Sequence, residues 1–108
     1  MSSTTITRGN SRETFYVAPV FAPVAVAAAT TAAQTFPLPG AQPTDIISPI
    51  GVAGSQIAGI FLVEADCFVA NFVSIRFGNL TAAAVVPNTG AYVLEITRIE
   101  GVMPLTAV

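Results

Sequence analysis

A chain of 108 residues that is 53% apolar and 9% charged, with no lysine and no histidine, has room for one domain and lacks the groups that most often move protons near neutral pH. Its formal charge of −2 offers no basic field for nucleic acid. The cations are Arg8, Arg12, Arg76 and Arg98, and the anions Glu13, Asp45, Glu64, Asp66, Glu95 and Glu100. So few charges are expected to leave an exterior that is covered by something else. The alternative is a monomer kept wet by its twelve threonines.

Met1–Thr14, MSSTTITRGNSRET, is polar and has no apolar period, so it is expected to be an extended arm. The stretch that follows joins arginines, an apolar run and small residues in the manner of a secretory signal. Pro19 and Pro23 break the helix such a segment prefers, and Glu13 sits beside the apolar run. The run is also too short and too interrupted to span a bilayer. The alanines of 27–33 are mixed with threonine and make a poor helix.

Eight prolines and eight glycines cut the chain into short pieces, the punctuation of an all-β fold. Phe15–Phe21 reads as a first strand. Thr31–Leu38 is a second, with Phe36 and Leu38 on one face and Thr35 on the other. PGAQPTD is a turn, and Asp45–Val52 a third strand whose Pro49 points to a sheet edge. Gln56–Val69 is the longest, bent near Glu64–Asp66. Ala70–Asn71 turns the chain tightly into Phe72–Phe77, which places Val73, Ile75 and Phe77 inward. The Pro87–Gly90 loop, with Gly90 at positive φ, leads to Ala91–Ile99, where Tyr92, Leu94 and Ile96 share a face. This period-two alternation predicts antiparallel sheets with one buried face. Six or seven short strands over 15–99 predict a two-sheet antiparallel β-sandwich, jelly-roll or immunoglobulin-like, followed by a tail at 100–108.

The chemistry-bearing residues are few. Cys67 is the single cysteine, so it has no intrachain partner and reads as a buried, inert thiol. Glu64 and Asp66 lie two apart on one strand face; paired acids can serve glycoside hydrolysis or calcium, but a solvated strand end explains them more simply. No phosphate loop, zinc spacing or calcium loop is present in the sequence, so neither catalytic residues, metal nor cofactor are expected. The NLT triplet at Asn79–Thr81 matches the glycosylation pattern, yet an asparagine closing a turn is the preferred reading.

Ala70–Arg98, ANFVSIRFGNLTAAAVVPNTGAYVLEITR, contains an Ala-Asn turn, an alternating strand, an Asn-x-Thr-Ala-Ala phrase, a Pro-x-x-Gly loop and a Tyr-containing strand ending in arginine. The residues are Asn71, Ile75, Phe77, Asn79, Thr81, Ala82, Ala83, Pro87, Gly90, Tyr92 and Arg98; upstream, Phe36, Pro39, Gly40 and Asp45 extend the pattern. In these features Ala28–Arg98 resembles small structural proteins of tailed bacteriophages. The resemblance implies a non-enzymatic virion protein on a β-sandwich, most simply a decoration or cement protein bound to the capsid shell. It implies the major capsid protein or other virion proteins as partners. With the charge-poor exterior, it also suggests a homo-oligomer, dimer or trimer. No nucleic acid or membrane partner is expected, and the virion, assembled in the bacterial cytoplasm, is the expected location. The absence of disulfides agrees with that compartment. The alternatives are a head-fibre base or tail component and, in another class, a secreted carbohydrate- or surface-binding β-sandwich.

Candidate contact residues lie in the arm and the tail: Thr4, Ile6, Arg8, Arg12, Phe15, Tyr16, Phe21, Val102, Met103 and Leu105. Aromatics enrich interface centres, although core packing is the competing use for Phe15, Tyr16 and Phe21.

Overall fold

A computed structural model describes residues 11–99, with side chains from Glu13 onward. Seven strands follow one another: β1 (Ser11–Val17), β2 (Val20–Phe21), β3 (Thr30–Pro37), β4 (Ile46–Val52), β5 (Ile60–Asp66), β6 (Phe72–Asn79) and β7 (Gly90–Ile99). They form one antiparallel sheet in the order β1-β7-β4-β5-β6-β3, with β2 beside β7 as well. Among the described residues there is no helix, and hence none long and apolar enough to cross a membrane.

The strands begin and end where the chain's punctuation forces them to. Residues 11–14, read from sequence as arm, belong to β1: Ser11 pairs with Ile99 and Thr14 with Thr97. The expected Phe15–Phe21 strand is broken in two at Pro19, which has no N–H to give a ladder, although its carbonyl accepts a bond from the Tyr92 N–H at 2.8 Å. The expected long strand 56–69 contracts to Ile60–Asp66, because Gly54 and Gly59 take φ of 92° and 86° and turn the chain before it. Pro49 does not mark an edge. It sits in β4, between β7 and β5. A register shift at Pro49/Gly51 absorbs it on the β7 side, while pairing with β5 is confined to Ile47↔Ala65. Gly90 is not among the left-handed residues; a Cβ there would instead stand 3.1 Å from Val52 Cγ2.

Hydrogen bonding is continuous, but it narrows to that single Ile47↔Ala65 pair between β4 and β5. On either side the ladders are long, with six pairs between β4 and β7 and six between β5 and β6. Residues from the two ends of the sheet meet in the core. Phe21, from the strand beside β7, stacks on Phe36 of the opposite edge strand, ring centroids 4.4 Å apart and 10° from parallel. Phe77 and Tyr92 meet edge to face at 5.9 Å between them. These rings, with Val73, Ile75, Leu94 and Ile96, make the buried core. Loss of one such buried aromatic or branched side chain costs about 2–5 kcal/mol.

Two polar devices close the fold where the sheet does not. The Gln34 amide on β3 mimics a neighbouring strand: its Oε1 accepts from the Val24 N–H and its Nε2 donates to the Val24 carbonyl, both at 2.8 Å. Asn79, 1% exposed, uses all of its amide. Nδ2 donates to the carbonyls of Val26 and Ala83, and Oδ1 accepts from the Thr81 N–H and hydroxyl. The preferred turn reading of NLT therefore has a physical basis, and the nitrogen a glycan would need is buried and occupied.

Candidate interface at one end of the sheet

Strand directions gather the most chemically distinct part of the surface. β3, β5 and β7 end, and β1, β4 and β6 begin, at the same end of the sheet, as the pairs Ser11↔Ile99, Ile46↔Thr97, Asp66↔Ser74 and Pro37↔Phe72 show. Two loops cap it, 38–45 and 67–71.

The first loop is held by charge. Arg98 Nε and Nη2 donate to the two carboxylate oxygens of Asp45 at 2.9 and 2.8 Å, and Nη2 also reaches the Gly40 carbonyl at 3.0 Å. The Asp45 side chain is fully buried, and the bonds from Arg98 hold its pKa below the usual carboxylate value. Its Oδ2 also accepts from the Gln42 N–H, closing the turn. The same guanidinium stands 5.5 Å over the Phe15 ring, a cation–π geometry.

The second loop is tied to the first through Asn71, which takes φ of 71°, a conformation asparagine tolerates. Its Oδ1 accepts from the Gly40 N–H, its carbonyl from the Leu38 N–H, and its own N–H donates to Ala41. Beneath it the Cys67 thiol donates to the Val69 carbonyl at 3.2 Å and is buried. Burial pushes its pKa up, so it is a poor nucleophile.

This fixed platform presents Phe68 at 75% exposure, Val69 at 62% and Phe72 at 42%. With Thr35 and Ser74 they surround an open hollow of about 300 Å³. None of the five side chains is charged. Full burial of one such apolar side chain stabilises by about 1.5–3 kcal/mol, so covering this patch is a substantial driving force.

The sequence-derived candidates are scattered by comparison. Tyr16 is 64% exposed, its hydroxyl donating to Glu95 Oε2 at 2.7 Å. Phe15 is half-buried under Arg98. Phe21 is 5% exposed and belongs to the core stack, because β2 meets the opposite edge strand in the core. Thr4, Ile6, Arg8, Val102, Met103, Leu105 and the Arg12 side chain lie outside the described residues. Glu64 is engaged by Arg76 at 3.5 Å, and among the described residues no three metal-binding side chains cluster. Removal of the first ~33 residues, as the secreted reading requires, would take away Phe21 and Val26, both core residues.

Sequence reasoning missed Phe68, Val69 and Phe72. The signal available was the run CFVANF, whose large apolar residues flank the Ala-Asn turn rather than alternate along a strand.

No protein family, curated protein or solved structure matches this chain. Its function is therefore read from the surface itself.

Proposed function

We propose that the chain is a non-enzymatic structural protein of a tailed-bacteriophage virion, a decoration or cement protein that docks on the assembled capsid shell. The carrying observation is the uncharged Phe68–Val69–Phe72 patch, exposed on a platform held by Asp45, Arg98 and Asn71. An exposed apolar cluster on rigid backbone binds without a large ordering cost. In this reading the halves β1-β7-β4 and β5-β6-β3, joined by the single Ile47↔Ala65 pair, serve as the two layers of a sandwich. Each copy contributes one modest contact, and many copies on a lattice add up to a large resistance to expansion. The resemblance of Ala28–Arg98 to phage structural proteins supports the same reading.

The test is to purify particles from a culture producing this protein and count its copies by quantitative mass spectrometry. Stoichiometric presence on heads, lost in a Phe68→Ser/Phe72→Ser variant that keeps its circular dichroism spectrum, is the expected result. Absence from particles, or unchanged incorporation of that variant, overturns the proposal.

A further inference from the structure

Arg98 shows how this chain seats a guanidinium. The group stands over the Phe15 ring, donates to both oxygens of the Asp45 carboxylate and gives a further bond to the Gly40 carbonyl. Each part has its reason. The ring face attracts the cation, the carboxylate takes two N–H groups in the plane of the fork, and another oxygen takes part of what remains.

The same kinds of group converge on the open hollow at the end of the sheet. Phe68 and Phe72 supply exposed rings, and Thr35 and Ser74 supply hydroxyls that can accept. The carboxylate comes from Asp66. β6 runs between β5 and β3, and its Ser74 is paired with Thr35 on one side and with Asp66 on the other. Opposed residues share a face, with Cβ atoms about 5 Å apart. Ala65 and Cys67, on either side of Asp66 in sequence, are both buried, which turns Asp66 away from the core. It therefore extends the row Thr35–Ser74 along the face that opens into the hollow.

The sign of the charge beside the hollow follows. Glu64 is paired across the strands with Arg76 and lies 3.5 Å from it, so these two charges largely cancel and Asp66 sets the local field. An acidic partner is repelled by it. An uncharged apolar side chain fills the hollow but makes no use of the carboxylate. An arginine uses everything present: its apolar stem covers Val69 and the rings while its head stays at the rim. We infer that the partner docking on this patch places an arginine, flanked by apolar residues, against Phe68 and Phe72 with its guanidinium on Asp66. Lysine is the poorer fit, because only the planar fork stacks on a ring and bonds a carboxylate in two places at once.

The inference rests on the reading of this patch as the docking surface, and its test needs no particles. The full-length protein is titrated with acetyl-Leu-Arg-Leu-amide and with the citrulline counterpart, which keeps the shape of the head and loses its charge. In amide-detected NMR spectra the arginine peptide should shift Phe68, Val69, Phe72 and Ser74, and should bind about tenfold more tightly than the citrulline peptide, the sum of a surface cation–π contact and an exposed ion pair. Raising the ionic strength from about 0.01 M to about 1 M should remove most of that preference. Asp66→Asn and Phe68→Leu should each reduce it severalfold in a protein whose spectrum is otherwise that of the wild type. Equal binding of the two peptides, binding that moves other amides instead, a preference that survives Asp66→Asn, or no binding of either peptide overturns the inference. Particle counts answer separately. Stoichiometric incorporation without an arginine preference sinks this inference alone, whereas an arginine preference in a protein absent from particles sinks the virion reading alone.

Discussion

Arg98 grips Asp45 through two parallel bonds, 2.9 and 2.8 Å, across 53 residues of sequence. Asp45 is buried to 0% side-chain exposure and Arg98 to 19%, so removing one partner strands the other. Asp45→Asn is expected to cost about 3 kcal/mol, near the low end for breaking a buried pair. Glu13, 3.9 Å from Arg98 and half exposed, contributes little.

The same pair sets the acid limit of stability. The Asp45 pKa is depressed in the fold by the Arg98 bonds, so its stabilisation is present above the unfolded value, about 3.9, and is lost as pH falls through the lower folded value. The gap in Tm between wild type and Asp45→Asn should narrow below about pH 4. A gap that stays constant into strong acid would assign the cost of the substitution to something other than the ion pair.

Asn79 bonds Val26, Thr81 and Ala83 from a buried position. Asn79→Ala leaves the Thr81 N–H without its acceptor, while the Val26 and Ala83 carbonyls keep only the Val85 N–H and the Thr81 hydroxyl, and it should cost about 1–3 kcal/mol in urea unfolding. Asn79→Asp keeps the acceptor for Thr81 but turns a carboxylate oxygen toward two carbonyls, so it should be at least as damaging. Wild-type midpoints in both variants would show the 79–83 turn to be held by other means.

Both tyrosines ionise late. The bond to the Glu95 carboxylate raises the pKa of Tyr16, and desolvation raises that of Tyr92. A near-ultraviolet titration should show little phenolate at the ordinary midpoint of about 10. Glu95→Gln should return one of the two to that midpoint and leave the other in place. For Tyr92 the raised value means that its contribution to stability holds below about pH 10 and fades as pH climbs through the folded pKa.

Phe68 and Phe72 keep 75% and 42% of their surface in water. Replacing both with serine should change stability by less than about 1 kcal/mol. Self-association in sedimentation velocity should fall markedly at the same time. Identical sedimentation of wild type and variant would move the sticky surface elsewhere.

Where side chains alternate, the sequence announced its strands. Val73, Ile75 and Phe77 in β6, and Tyr92, Leu94 and Ile96 in β7, are all buried as their period-two spacing requires. Asn71 was legible as a turn because few residues accept its φ. Pro49 misled because a missing N–H does not say which neighbour does without it; here the β5 ladder simply stops short. Phe21 misled for a related reason. An aromatic in a two-residue strand carries no alternation to show its side, and only the meeting of the two ends of the sheet puts it on Phe36. The apolar end of the sheet stayed hidden because it is assembled from β3, β6 and a turn, whose adjacency is a property of strand order and not of local pattern.

β7 lies between β1 and β4 and also pairs with β2, yet it is the last of the described strands in chain order. Before β7 is made, β3, β5 and β6 can pair among themselves and β4 can join β5 through Ile47↔Ala65, while β1 and β2 wait for β7. The closing contact, Ser11 with Ile99, is among the most distant in the chain, and such pairings are slow to form. Until β7 has been made, β1 and β2 therefore stay unpaired and β4 is held by one pair alone, the period when a chaperone would matter most.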